Sequence, residues 1–124
     1  SYPPIGSPDG GAHVTASDLD RFLRMVKAGS LLSPAMTEAF LTPQVVHRKM
    51  DGWTMMYSYG LWFHVDESSE VGFYEKEGIN PGASGLIRYY PSQDTSVVLL
   101  SNTESGAWEP VRRIHDLVVS GEIV

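Results

Sequence analysis

The order of periodic segments in this 124-residue chain predicts an α+β fold, an antiparallel sheet flanked by helices. Apolar residues recur at helical spacing between Thr15 and Gly29. Side chains then alternate with period two over residues 53–66, and helical spacing returns between Ser105 and Ser120. The length corresponds to one domain or part of one, and we interpret residues 1–124 as a single partial domain.

The first third of the chain predicts a loop and two helices. Residues 1–12 are rich in Pro, Gly and Ser and predict a linker or loop. Thr15 is a good N-cap for the first helix, Asp18 supports its first turn, and Gly29 is its expected end. The predicted apolar face comprises Leu19, Phe22, Leu23 and Val26. A second helix is predicted to begin at Ser33-Pro34 and to end before Pro43.

The middle of the chain predicts an antiparallel meander. Residues 53–66 predict one long strand, and residues 66–70 a polar turn. Shorter strands are expected over residues 72–76, 83–90 and 95–101. The apolar face of the long strand is predicted to carry Trp53, Met55, Tyr57, Tyr59, Leu61, Phe63 and Val65.

Composition excludes several kinds of site. The net charge is −6 and the nine basic residues are scattered, which disfavours nucleic acid and anionic membrane surfaces. Thiolate metal sites and disulfides are excluded because cysteine is absent. The four histidines are dispersed without metal-ligand spacing, so we expect no metal and no cofactor. No apolar run reaches the roughly 20 residues of a membrane span.

The segment from Lys76 to Gly82 is the best candidate for a site. A lysine on a predicted edge strand precedes Gly78, where a ligand can approach the backbone and use its N–H groups. The following turn, rich in Asn, Pro and Gly, would form the rim of a substrate pocket. The alternative is that Glu75, Lys76 and Glu77 form a charged edge that only prevents aggregation.

Several short sequence motifs occur together in a characteristic order along the chain. They are the segment from Gly10 to Leu23, Leu31 to Pro34 with Leu41 to Gln44, Tyr59 to Trp62, and Gly78 to Gly82 followed by Asp94 to Asn102. Together they resemble the C-terminal part of the serine β-lactamase and penicillin-binding-protein superfamily, in the branch of class C β-lactamases, D-alanyl-D-alanine carboxypeptidases and related esterases. The resemblance implies that residues 13–124 are the C-terminal segment of a β-lactamase/transpeptidase-like domain.

This resemblance implies roles for five consecutive residues. Lys76-Glu77-Gly78 stands where the family has Lys-Thr-Gly, while the family's Ser-x-x-Lys and Tyr-x-Asn motifs are absent from the sequence. By analogy, the backbone N–H of Ile79 belongs to the oxyanion hole, and Lys76 supplies positive potential near the nucleophile. Glu77, Gly78 and Asn80 would bind substrate. A glutamate at position 77 predicts a preference against substrates with a carboxylate there.

The resulting expectation is a fragment that is inactive alone. It would belong to a serine hydrolase that cleaves an ester, amide or β-lactam through an acyl-enzyme. The expected partners are a small-molecule acyl substrate and either the N-terminal part of the same protein or a second copy in a dimer. Many relatives are exported, so an extracytoplasmic location is a family-level expectation. The alternative is a non-catalytic binding or scaffold module that kept the fold.

Overall fold

The computed structural model describes Ser7 and residues 10–122, which form helices and strands in the α+β order that the sequence predicts. None of the helices in this part of the chain is long and apolar enough to cross a membrane. Most of the predicted linker over residues 1–12 lies outside the described residues. The elements are α1 (Ala16–Lys27), α2 (Pro34–Phe40), β1 (Val45–Lys49), β2 (Trp53–Tyr57), β3 (Trp62–Asp66), β4 (Val71–Asn80), β5 (Ala83–Tyr90), β6 (Thr95–Ser101) and α3 (Trp108–Val119).

The six strands form one antiparallel meander in the order β1-β2-β3-β4-β5-β6. Strand β1 was not predicted, because all five of its residues are exposed and no alternation of burial marks the segment. The predicted strands over residues 83–90 and 95–101 are confirmed as β5 and β6. The sheet therefore begins with a strand that the sequence does not indicate.

The single long strand predicted over residues 53–66 is wrong, because the segment folds as the hairpin β2–β3. The Ser58 N–H donates to the Leu61 carbonyl at 3.0 Å, and the Ser58 hydroxyl donates to the Phe40 carbonyl at 2.8 Å. These two bonds close the turn and tie it to α2. The predicted apolar face is also wrong in part: Met56 of β2 pairs with buried Phe63 and packs on the core, whereas Tyr59 in the turn is 67% exposed.

Strand β4 is longer than predicted. It was expected to end near Lys76, with a turn over residues 78–82, but it continues to Asn80. The turn is only Pro81-Gly82, since Asn80 pairs with Ala83. Proline favours the first central position of such a turn, and Gly82 takes φ +84° at the second. Gly78 is therefore a strand residue.

Helices pack against both faces of the sheet. On the α1 face, Leu23 of α1 forms a buried cluster with Leu61, Phe63, Val65 and Tyr74. On the α3 face, Val118 of α3 packs with Tyr90 and Val97, and α3 itself begins at Trp108, three residues later than predicted.

The first helix begins as predicted. Thr15 and Asp18 form a reciprocal capping box, in which each side chain accepts a hydrogen bond from the other residue's backbone N–H. Gly29 takes φ +73° just past its end. One detail differs, because Phe22 is 51% exposed although it belongs to the predicted apolar face.

Candidate active-site groove

The end of β4 extends beyond its neighbour β3. The pairing of β3 with β4 runs only from Val65↔Val71 to Trp62↔Glu75, whereas β4 pairs with β5 as far as Asn80. Within the described residues, positions 76–80 are thus paired on one side only. Backbone N–H groups of a strand point alternately to its two sides, so this open edge presents donors to a bound molecule. The five residues predicted as site residues are the five residues of this overhang.

Alternation along β4 separates the two charged site residues. Lys76 lies opposite Ile87, on the α1 face, whereas Glu77 lies opposite Leu86, on the α3 face. Both side chains are exposed. Glu77 shares its face with Glu75 and helps to raise the pKa of that carboxyl, although burial is the main cause and Arg88 opposes it. The ammonium and carboxylate therefore leave the strand in opposite directions.

Two facing glycines form the floor of the site. Gly78 on β4 pairs with Gly85 on β5. A Cβ atom added at Gly78 would meet nothing within 4 Å, so the backbone there is open to a ligand. A Cβ atom at Gly85 would lie 2.9 Å from Leu100 Cδ2 and 3.0 Å from the Leu99 carbonyl oxygen. Gly85 is thus needed for close packing, and Gly78 leaves space.

A groove of about 410 Å³ runs along this floor. One wall is the β4 overhang, and the other is the segment that leads into α1. The predicted site residues all contact the groove, whereas the contribution of the leading segment was missed because its composition indicates only a loop. The lining comprises Ser7, Gly10, Gly11, Ala12, Val14 and Leu19 on one side, and residues 76–80, 83–87 and Leu100 on the other.

A buried ion pair anchors β4 immediately before the overhang. Glu75 Oε2 accepts from Arg88 Nε at 2.7 Å and lies 2.7 Å from Nη2. The two side chains are only 16% and 11% exposed. Nothing in the sequence predicts this pair, and the expectation that Glu75 belongs to an exposed charged edge is wrong. Its consequence is a fixed register between β4 and β5 where the open segment begins.

The described part of the chain offers no cluster of three His, Cys, Asp or Glu residues able to hold a metal ion. His64 and His115 lie on the α3 face, in contact with Phe73 at ring-centroid distances of 4.9 Å and 5.6 Å. The groove lies along the overhang instead, and its lining includes Lys76 and Glu77, whose side chains leave β4 on opposite faces.

Comparison with known proteins identifies relatives of this fold. A family model described as Beta-lactamase matches residues 1–119. Among solved structures, a penicillin binding protein from Bacillus halodurans superposes with a TM-score of 0.84 and 33% sequence identity. The match covers 94% of this chain and 35% of that protein, so the chain spans about a third of its length. No curated protein gives a significant match.

Proposed function

This chain belongs to the β-lactamase family, and we propose that it supplies the sheet and the cleft strand of a serine hydrolase that works through an acyl-enzyme. In that reaction a serine hydroxyl attacks the carbonyl carbon of an ester, amide or β-lactam, the leaving group departs, and water releases the acyl group. The main support is the position of Lys76-Glu77-Gly78 at the open end of β4, inside the groove. The nucleophile would come from sequence outside these 124 residues, since no Ser-x-x-Lys occurs here.

The overhang would act mainly through electrostatics. In the proposed enzyme the backbone N–H of Ile79 donates to the oxyanion that forms when the carbonyl is attacked, and a fixed donor there needs no reorganisation during the reaction. The Lys76 ammonium adds positive potential on the α1 face. Gly78 lets the substrate reach the strand, because nothing lies within 4 Å of the position a Cβ would take.

The identity of residue 77 favours a neutral acyl substrate. The two charged residues of the groove's described lining are Lys76, on the α1 face of β4, and Glu77, on the α3 face. The remaining side chains are small, apolar or uncharged. The family uses a small hydroxyl residue in place of Glu77, and a substrate carboxylate brought to this position would meet a negative charge. We therefore assign Glu77, Gly78 and Asn80 to binding a small ester or amide without a carboxylate beside the scissile bond.

The proposed partner is the N-terminal part of the same protein, or a second copy when that part is absent. An apolar hollow of about 280 Å³ lies between α1, α2 and the β2–β3 turn. Its lining includes exposed large side chains, which usually mark a surface covered by another chain segment. They are Phe22, Leu31, Leu32, Met36 and Tyr59, with exposed fractions of 51%, 45%, 38%, 48% and 67%.

The decisive experiment compares the 124-residue chain with the full-length product of its gene. Each is incubated with a nitrophenyl ester and a chromogenic β-lactam, and the acyl-enzyme is sought by intact-protein mass spectrometry. Only the full-length product should turn over substrate and gain acyl mass. The proposal would be contradicted if the short chain turned over substrate and a substitution within that chain abolished the turnover. A full-length sequence without Ser-x-x-Lys and Tyr-x-Asn would favour the non-catalytic binding or scaffold module.

A further inference from the structure

A chain of polar contacts crosses the α3 face from β4 to α3, away from the candidate groove. Arg88 donates to Glu75 and, through Nη1, to the Tyr90 hydroxyl at 3.1 Å. The Tyr90 hydroxyl lies 2.9 Å from Nδ1 of His115. Tyr90 is 1% exposed, so its hydroxyl depends on these partners.

The proton positions in this chain follow from the donors available. A guanidinium only donates, so the Tyr90 oxygen is the acceptor toward Arg88. The buried hydroxyl proton of Tyr90 needs an acceptor of its own, and His115 Nδ1 lies 2.9 Å away and can accept it when the imidazole is the Nε2–H tautomer. In that arrangement His115 is neutral, with its proton on Nε2. The arrangement has one direction, from Arg88 through Tyr90 to the histidine.

We propose that this hydrogen bond is a proton-sensitive latch that holds α3 on the sheet and weakens when His115 is protonated. A proton from solvent would add to the Nδ1 lone pair, forming an N–H bond and leaving the imidazolium with one positive charge. The O–H···N hydrogen bond from Tyr90 would then be lost, with two donors facing each other. This inference does not depend on the proposed enzymatic function.

The groups around His115 oppose its protonation. Burial is the main cause that lowers the pKa of His115, and Arg88 lowers it further, while Asp116 on the same helix acts in the opposite direction. Glu75 faces the site from β4, but it is paired with Arg88. Phe73 contacts the imidazole edge-on at 5.6 Å and offers no acceptor. The added charge would therefore find no new partner.

A second histidine, His64, faces the same cavity as His115, and its pKa is also lowered. His64 and His115 both line a cavity of about 260 Å³ between β3–β5 and α3, which gives solvent protons access. Burial lowers the pKa of His64, with contributions from His115 and Arg88, and Asp66 opposes them. Protonating one imidazole thus disfavours protonating the other.

Helix α3 is sensitive to the loss of this bond because few polar contacts attach it. Among the described residues, Tyr90–His115 is the one side-chain-to-side-chain hydrogen bond between α3 and the sheet. At the other end of the helix, the Ala107 N–H donates to the Ser84 hydroxyl at 3.2 Å. Apolar contacts of Ile114 and Val118 complete the attachment.

The direction of the pH effect follows from the lowered pKa values. The unfolded chain binds a proton at these histidines more readily than the folded chain does. The contribution of the neutral histidines to the stability of the folded chain is therefore complete above the ordinary histidine pKa of 6.5. It is lost as the pH falls from that value toward the folded-state pKa. Acid should therefore loosen α3 selectively, whereas α1 contains no histidine and serves as an internal reference.

The test measures histidine tautomers and amide exchange in the whole 124-residue chain. Nitrogen NMR should show His115 as the neutral Nε2–H tautomer at about pH 7.5. Hydrogen-exchange protection of α3 relative to α1 should fall roughly threefold to tenfold by about pH 5.5, the effect of losing about one hydrogen bond. An Nδ1–H tautomer, or α3 protection that is equal at the two pH values, would overturn the proposal.

Matched variants separate the latch from general acid sensitivity. In His115→Asn, the amide oxygen can replace Nδ1 as acceptor without titrating, so α3 should lose its pH response; retention of the response would overturn the proposal. The control His13→Asn alters an exposed histidine of the segment before α1 and should leave the response intact. Tyr90→Phe removes the bond directly, and α3 should already be less protected at neutral pH. Unchanged protection in that variant would also overturn the latch.

Discussion

Gly78 and Gly85 lie directly opposite each other on β4 and β5, yet only Gly85 is closed in by its neighbours. A methyl group at Gly85 would press on Leu100 Cδ2 at 2.9 Å and on the Leu99 carbonyl oxygen at 3.0 Å. The same group at Gly78 would enter the groove without contact within 4 Å. One glycine is kept for packing, and the other leaves the strand accessible.

This asymmetry predicts different stabilities for two identical substitutions. Gly85→Ala should lower the free energy of unfolding by about 1–3 kcal/mol, the usual cost of overpacking. Gly78→Ala should leave it unchanged or raise it by about 0.5 kcal/mol, since alanine restricts the unfolded chain. Urea denaturation of both variants is the measurement, with each serving as the other's control. Equal destabilisation by the two substitutions would contradict the packing difference.

The Glu75–Arg88 ion pair predicts strong coupling between two positions. Glu75→Leu or Arg88→Met alone should cost about 3 kcal/mol, because each leaves its partner charged and poorly solvated. The double variant should be less destabilised than the sum of the single variants, since no unpaired charge remains. Denaturation of all four proteins gives the coupling energy. Additive effects would show that the pair contributes little at this site.

The features that could be predicted from the sequence are those formed by residues close together along the chain. The capping box of Thr15 and Asp18 spans three residues, so both partners are visible in the sequence, and α1 begins where it was predicted. The segment around Lys76, Gly78 and Pro81-Gly82 was singled out from the sequence as one short motif, but the continuation of β4 to Asn80 as an overhang was not predicted. The capping box and the motif need no knowledge of the register between distant strands.

Features that depend on register were missed. Glu75 and Arg88 are thirteen residues apart, and only the pairing of β4 with β5 brings them together. The break at Ser58 was invisible because the period-two pattern continues across the turn, with exposed Tyr59 occupying an apolar position of the pattern. Periodicity reports which residue types alternate, but not where the chain reverses.

The apolar hollow predicts self-association of the isolated chain. Phe22 and Tyr59 expose 51% and 67% of their surface beside it, and a two-fold dimer is the simplest way to cover such a face. Light scattering at rising concentration should show dimers, and Phe22→Ser should shift the chain toward monomer. Leu117→Ser, which alters an exposed apolar residue of α3, is the matched control and should not change association. A monodisperse monomer at high concentration would contradict the prediction.

Glu77 predicts the substrate selectivity of the proposed full-length enzyme. Glu77→Thr should improve anionic substrates relative to neutral ones by roughly tenfold, the effect of about one pKa unit of charge interaction. The measurement is the ratio of kcat/KM for a matched pair of esters with and without a carboxylate. Glu67→Thr removes the same charge from the exposed β3–β4 turn and should leave the ratio unchanged. An unchanged ratio in Glu77→Thr would refute the substrate assignment while leaving the family membership intact.

We expect a substitution of Lys76 to change the rate of acylation and not the substrate selectivity. Lys76→Ala in the proposed full-length enzyme should slow acylation, because fixed positive potential beside the developing negative charge is lost. Removing one preorganised electrostatic group of this kind costs on the order of a hundredfold in rate. Single-turnover acylation followed by mass spectrometry isolates that step, and Lys49→Ala on exposed β1 controls for net charge. If Lys76→Ala acylates as fast as Lys49→Ala, the lysine is only a charged residue on an open strand edge and has no part in the chemistry.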